Sequence, residues 1–235
     1  MTAVEASVKL ENVTKKYEIR GRTYFALSNV NLSFKPSEFS VIIGPTGSGK
    51  TTLLNIIAGV EKPDQGKVYV DGVNILGVAE EEVVRLRRDK IGYITQTFTL
   101  VPDFNVLENL ELPLLIKRVP REAWDDLIWE VTSKLEILHL KFKKPSELSS
   151  GEQRKVMIAR ALVTNPKILL ADEPTNDIDM KTTVKIIKLF HQLKEERGTT
   201  IIVTTHDPLF LKYADKIVYL RDGYVIRVKQ RHGSS

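Results

Sequence analysis

The period of the apolar positions changes several times along the chain. Over the first forty residues apolar and polar residues alternate around 8–13, 25–26 and 30–34, which predicts short strands joined by polar turns. Residues 39–43 form a compact apolar run that ends at Gly44. Residues 51–58 then place Leu53, Leu54, Ile56 and Ile57 at helical spacing and stop at Gly59, giving strand, glycine loop, helix. Between Val68 and Ile75 an Asp71-Gly72 pair separates two apolar stretches, a hairpin signal. From about 101 to 144 the spacing of Leu127, Ile128, Val131, Leu135 and Leu138 predicts a helical insertion, with Trp124 and Trp129 in its core. A further helix is predicted over 149–164, opened by a capping box of Ser149 and Glu152. Then come an apolar strand at 167–171, a helix at 181–197 stopped by Gly198, and a β-branched strand at 199–204. Residues 216–220 and 225–228 flank Asp222-Gly223 and predict a closing hairpin. Strands alternating with helices imply a mainly parallel sheet covered on both faces. No repeat of 20–50 residues interrupts this order.

With 235 residues the chain can bury about three quarters of its unfolded surface in one large α/β domain. It has no cysteine, which excludes a disulfide scaffold, a thiolate metal site and cysteine catalysis. The formal charge of +5 permits an acidic partner, but the charges are interleaved, as in the run from Glu80 to Arg88, and read as a solvated surface. No nucleic-acid partner is expected. No run approaches the ~20 apolar residues of a membrane helix. Residues 1–9 lack the apolar core of a signal peptide, and 231–235 read as a frayed end.

One motif carries chemistry at every fixed position. Gly44-Pro45-Thr46-Gly47-Ser48-Gly49-Lys50-Thr51 fits G-x-x-x-x-G-K-[ST], placed after an apolar strand and before a helix. Its glycines let successive N–H groups turn toward phosphate oxygens, and the following helix points its positive end at the same anion. Lys50 is expected to reach the outer phosphates and Thr51 to place a hydroxyl on Mg²⁺. A second element, Ile168-Leu169-Leu170-Ala171-Asp172-Glu173, is an apolar strand ending in two carboxylates. Asp172 suits a magnesium ligand, and Glu173 suits a proton acceptor for an attacking water.

With these residues in view the sequence resembles an ATP-binding-cassette (ABC) ATPase, the nucleotide-binding subunit of an ABC transporter, over about 8–228. Leu148-Ser149-Ser150-Gly151-Glu152-Gln153 resembles the family signature, which other classes with this phosphate loop lack. Tyr17 resembles the aromatic that stacks on adenine, Gln96 the glutamine that senses Mg²⁺ and γ-phosphate, His206 the switch histidine, and Asp179 the dimer-contact aspartate. The resemblance implies a phosphate-loop NTPase core with an N-terminal antiparallel β subdomain and an inserted α-helical subdomain. The single domain would span 1–235, with the core at about 1–96 and 165–230 and the helices at about 97–164. Thr52 joins the expected nucleotide set, with ATP and Mg²⁺ bound. The expected partners are a second copy, whose Ser149 and Gly151 would close on the γ-phosphate, and an integral membrane subunit. The location implied is cytoplasmic, peripheral on the inner face of the cell membrane.

The segment 106–114 and the residues before Gln96 are similar to the branch of lipoprotein-release, macrolide-export and cell-division ATPases. A soluble ABC ATPase, for example of iron–sulfur assembly, shares every motif and is the alternative. Ser150 and Glu152 depart from the usual signature, and Asp177 adds an acid near the expected interface. These put dimer affinity in question unless Glu152 turns back into its capping box. Finally, Phe98, Leu100, Val101, Pro102 and Phe104 follow Gln96 and are expected to line a groove for a helix of the membrane subunit.

Overall fold

The computed structural model describes residues 6–231. The expectations for the signal-peptide stretch and the frayed end concern partly residues 1–5 and 232–235, which lie outside them. Two sheets organise the chain. The antiparallel sheet has the order β2-β1-β4-β5, from β1 (Val8–Ile19), β2 (Arg22–Phe34), β4 (Gln65–Val70) and β5 (Val73–Asn74). The larger sheet adds β3 (Phe39–Ile43), β6 (Ile91–Ile94), β7 (Ile168–Asp172), β8 (Thr200–Thr204), β9 (Lys216–Arg221) and β10 (Tyr224–Gln230), in the order β10-β9-β3-β8-β7-β6. Every pair in it is parallel except the closing hairpin β9–β10. The helices are α1 (Lys50–Ile57), α2 (Glu80–Lys90), α3 (Val106–Lys117), α4 (Trp124–Lys134), α5 (Ser150–Leu162) and α6 (Met180–Arg197).

The apolar runs of the central strands explain the layering. Successive side chains point to opposite faces, so an all-apolar strand feeds two cores. Val41, Leu169, Ile201 and Val203 pack with α3–α6. Their neighbours Ile42, Ile168, Leu170 and Ile202 pack with α1 and the antiparallel sheet. Leu53, Leu54, Ile56 and Ile57 of α1 are all fully buried in that second core. The helix that begins at the phosphate loop is thereby clamped between two sheets.

Several expectations need correction. The first forty residues are not short strands but two long ones that meet at a two-residue turn, Arg20-Gly21, both at positive φ. Their outer halves carry polar and exposed residues on both faces, so the apolar alternation fades while the pairing continues. The charged run from Glu80 is the solvated surface expected of it: it forms the helix α2, which buries only Val83 and so lacks an apolar stripe. Its acids occupy the first turn and its bases the last, the order that the helix dipole favours. Trp124 is core, with Nε1 donating to the Val119 carbonyl at 2.9 Å, but Trp129 is exposed on the opposite side of α4.

Candidate functional site

The registers bring the candidate residues to one edge of the larger sheet. Ile42, Thr204 and Asp172 lie in one line across β3, β8 and β7, and Ile94 pairs with Ala171. The carboxyl ends of these strands therefore open side by side, where ligands bind in open α/β sheets. Tyr17, Thr46, Gly47, Gly49, Lys50, Thr51, Thr52, Gln96, Asp172 and Glu173 line a single pocket there.

The loop from Gly44 to Gly49 needs its glycines for different reasons. A Cβ at Gly44 would stand 2.0 Å from the Leu220 carbonyl oxygen. At Gly49, where φ is 100°, it would stand 2.1 Å from the Ala26 carbonyl oxygen. The ammonium of Lys50 is held by the carbonyls of Gly44 (2.8 Å) and Pro45 (3.0 Å). Ser48 is buried, and its hydroxyl has no hydrogen-bond partner among the described residues. Thr51 Oγ1 donates to Asp172 Oδ2 at 2.7 Å, and the Thr204 hydroxyl donates to the other carboxylate oxygen. Asp172 is thus a buried carboxylate fixed on both sides, beside a hydroxyl. A hydroxyl and a carboxylate are oxygen donors of the kind Mg²⁺ takes when it shares its shell with phosphate and water.

Glu173 follows in a left-handed conformation (φ 47°), its N–H bonded to the Thr204 carbonyl at 2.9 Å. For a non-glycine residue this costs about 1–3 kcal/mol, and such strain collects at functional sites. The carboxylate lies 3.1 Å from Nδ1 of His206, whose side chain is otherwise exposed at the rim. Tyr17 donates its hydroxyl to Glu61 at 2.6 Å, and Lys15 stands 5.3 Å from the ring centroid. Burial, then the bond to Glu61, raises the Tyr17 phenol above its ordinary value.

Ser149 and Gly151 do not line this pocket. Ser149 caps α5: its N–H and hydroxyl both donate to Glu152 Oε2 at 2.8 Å, and the Glu152 N–H donates back at 3.3 Å. These bonds hold the Glu152 carboxyl below the usual carboxylate range. The acid of the unusual signature is therefore folded into the cap. Gly151 lies against the Asp177 carbonyl, 3.2 Å from where a Cβ would be. Asp179 caps α6, accepting from the Thr182 N–H at 2.9 Å.

Two residues at the site escaped the sequence reading. Arg154, on α5, is buried and donates to the carbonyls of Thr95 and Gln96, both at 2.9 Å. Its guanidinium also covers the Phe98 ring at 4.8 Å. An available signal was its place on the buried stripe with Ile158 and Ala161. Tyr24, on β2, lines the pocket and donates its hydroxyl to the Gly47 carbonyl at 2.6 Å. Beyond Gln96, Phe98 and Phe104 are 43% and 38% exposed, whereas Leu100 turns into the core, against the expectation that it faces the groove.

The profile of the family described as ABC transporter matches residues 27–176. The chain belongs to the ABC transporter family. It is 43% identical to the ABC transporter ATP-binding protein MJ0796 of Methanocaldococcus jannaschii, over 96% of this chain and 98% of that one. The lipoprotein-releasing system ATP-binding protein LolD 1 of Chlorobium chlorochromatii is 39% identical, over 95% and 92%. A dimeric structure of MJ0796 in a post-hydrolysis state, bound to ADP and Pi, superposes with a TM-score of 0.92 over 97% of this chain and 100% of that one. This ABC protein is thus the ATP-binding and hydrolysing subunit of a transport system, the first of the two readings that its motifs left open. Cassettes of this family work with membrane subunits, and none of the described helices here is long and apolar enough to cross a membrane.

Proposed function

We propose that this cassette binds Mg-ATP at the loop 44–51 and hydrolyses it between two copies of itself. The observation that carries the reading is the convergence of Lys50, Thr51, Asp172 and Glu173 on one pocket at the strand ends. Loop N–H groups and the positive end of α1 bind the phosphates, with Lys50 moving from the Gly44 and Pro45 carbonyls to the outer ones. Thr51, Asp172 and Gln96 would hold the magnesium, which would supply positive charge to the phosphate oxygens. Glu173 accepts the proton of a water that attacks the γ-phosphorus as the bond to ADP breaks, and His206 orients the Glu173 carboxylate. The second copy supplies Ser149 and Gly151, so that the start of its α5 faces the γ-phosphate. Before it can donate there, the Ser149 hydroxyl must leave Glu152. Loss of the γ-phosphate bridge reopens the dimer.

The exposed Phe98 and Phe104 face an integral membrane subunit, and the cassette sits at the inner face of the cell membrane. The domain divides into a core, about 1–96 and 165–230, and a helical part, about 97–164, that carries the motion to that partner. Phosphate release and sedimentation of the purified chain test the reading. Release should require both ATP and Mg²⁺, and removing the metal with a chelator should abolish it while leaving the fold intact. A chain that hydrolyses ATP equally well in chelator is not using Thr51 and Asp172 in this way.

Tyr17 is assigned to the base. Stacking on one aromatic ring contributes about 1–3 kcal/mol per base and reads no base edge. Tyr17→Ala should therefore weaken ATP and GTP alike, by about tenfold to a hundredfold. Titration with fluorescent analogues of both nucleotides checks this, and unchanged affinities would place the base elsewhere.

A further inference from the structure

The two-residue turn Arg20-Gly21 sets the register of β1 against β2, and in that register Tyr17 and Tyr24 are direct partners. Directly opposed residues share a face of the sheet, with Cβ atoms about 4.5–5.5 Å apart. Both rings line the nucleotide pocket. Their hydroxyls leave in different directions. Tyr17 bonds Glu61, while Tyr24 bonds the Gly47 carbonyl at the crest of the phosphate loop. Tyr24 is 44% exposed, so packing covers it only partly and that one hydrogen bond is its polar anchor. A loop whose N–H groups turn inward to phosphate leaves carbonyls facing away. Gly47 is such a position, and Tyr24 occupies its carbonyl from the sheet side.

We propose that Tyr24 is a second nucleoside-binding side chain. Beside Tyr17 it adds a second aromatic face to the platform for the base and ribose of a nucleoside triphosphate, and its hydroxyl ties that platform to the phosphate loop. The ring gives a π-face and a rigid amphipathic edge where the sugar must pass from base to phosphates. The tether means that the platform and the loop move as one body, so base contact and phosphate contact reinforce each other. This rests on the assignment of the pocket to ATP.

The test separates ring from tether by titrating ATP and inorganic tripolyphosphate against the wild-type chain and the variants Tyr24→Ala, Tyr24→Phe and Tyr17→Ala. Tripolyphosphate has no nucleoside, so the ratio of the two affinities isolates the platform. Tyr24→Ala should shift that ratio against ATP by about tenfold, as expected for loss of one stacking ring. Tyr24→Phe keeps the ring and should leave the ratio unchanged, while weakening both ligands by the same factor, about two- to tenfold, for the lost hydrogen bond. A Tyr24→Ala ratio equal to that of the wild type overturns the platform, and a Tyr24→Phe variant that binds both ligands normally overturns the tether. Should Tyr17→Ala also leave the ratio unmoved, the base lies elsewhere and the failure belongs to the site assignment. Circular dichroism of each variant confirms the fold, which a half-exposed side chain should not disturb.

Discussion

Glu173→Gln is expected to bind Mg-ATP with near-normal affinity, to hydrolyse it about a hundred- to ten-thousandfold more slowly, and to accumulate as an ATP-bound dimer. The geometry separates its role from that of its neighbour. Asp172 is buried, fixed by Thr51 and Thr204, and stands where the metal is assigned. Glu173 is one residue beyond, turned out of the strand by its left-handed backbone and partnered through its carboxylate with His206. Glutamine has the same shape and keeps an oxygen for His206, but it cannot take a proton from water. The neutral amide also removes repulsion against the γ-phosphate, which favours the closed state. Lys50→Ala is the contrast: it removes the cation that reaches the phosphates, so it should lose nucleotide binding and never dimerise. Size exclusion with ATP alongside a phosphate-release assay reads both variants. Wild-type hydrolysis by Glu173→Gln would remove Glu173 as the proton acceptor. A monomer at saturating ATP would instead sink the closed dimer. In that case Asp177 is the first suspect, because Glu152 is already engaged by its cap.

The phosphate loop was legible in the sequence because its backbone dictates its residues. Gly44 and Gly49 stand against the carbonyls of Leu220 and Ala26, so few side chains are allowed there. The central strands were equally legible, since burial on both faces demands an unbroken apolar run, as in residues 168–171. The same logic explains what was hidden. Helix α2 carries charge on nearly every face and buries one residue, so periodicity had nothing to report, although its charges are ordered along the axis. The outer halves of β1 and β2 are held together by pairing rather than by burial, and pairing leaves little mark on composition. Trp129 was misplaced because residues of α4 five apart point to different sides of the helix, while Trp124 alone reaches the core.

Contacts between distant segments were the least legible part of the site. Tyr24 meets Gly47 across 23 residues, and Arg154 meets Thr95 and Gln96 across 59 and 58. Neither residue belongs to a motif whose spacing is local. Arg154 carried only the signal of its place on the buried stripe of α5, and Tyr24 was visible only as an aromatic side chain with no stated task. The cap formed by Ser149 and Glu152 was legible for the opposite reason, because its partners are three residues apart on one helical turn.

Arg154 has the largest expected effect on stability. It lies on the buried side of α5, with two fork nitrogens on the carbonyls of Thr95 and Gln96 and its flat face over Phe98. Burial pulls its guanidinium below the ordinary value, while Asp177 and Asp172 act in the opposite sense, and the group remains charged. Arg154→Ala would leave two carbonyls without their donors, open a cavity beneath the segment after β6, and uncover Phe98. Each buried carbonyl left without its donor costs about 1–3 kcal/mol, so the two together cost about 2–6 kcal/mol. For a chain of this size each kcal/mol lowers the melting temperature by about 2–4 °C, so a drop on the order of 10 °C is expected. Arg154→Lys keeps the charge but loses the planar fork, which meets the two carbonyls with separate nitrogens. It should fall between the two. The activity readout separates bracing of Gln96 from bulk stability. In Arg154→Lys at a temperature where the fold is intact, nucleotide affinity should hold, since the phosphate loop lies on α1, but the rate of hydrolysis should fall as Gln96 loses its anchor. A melting temperature within 2 °C of the wild type for Arg154→Ala would show that these bonds do not hold the segment, and with it would go the assignment of α5 as the brace of Gln96.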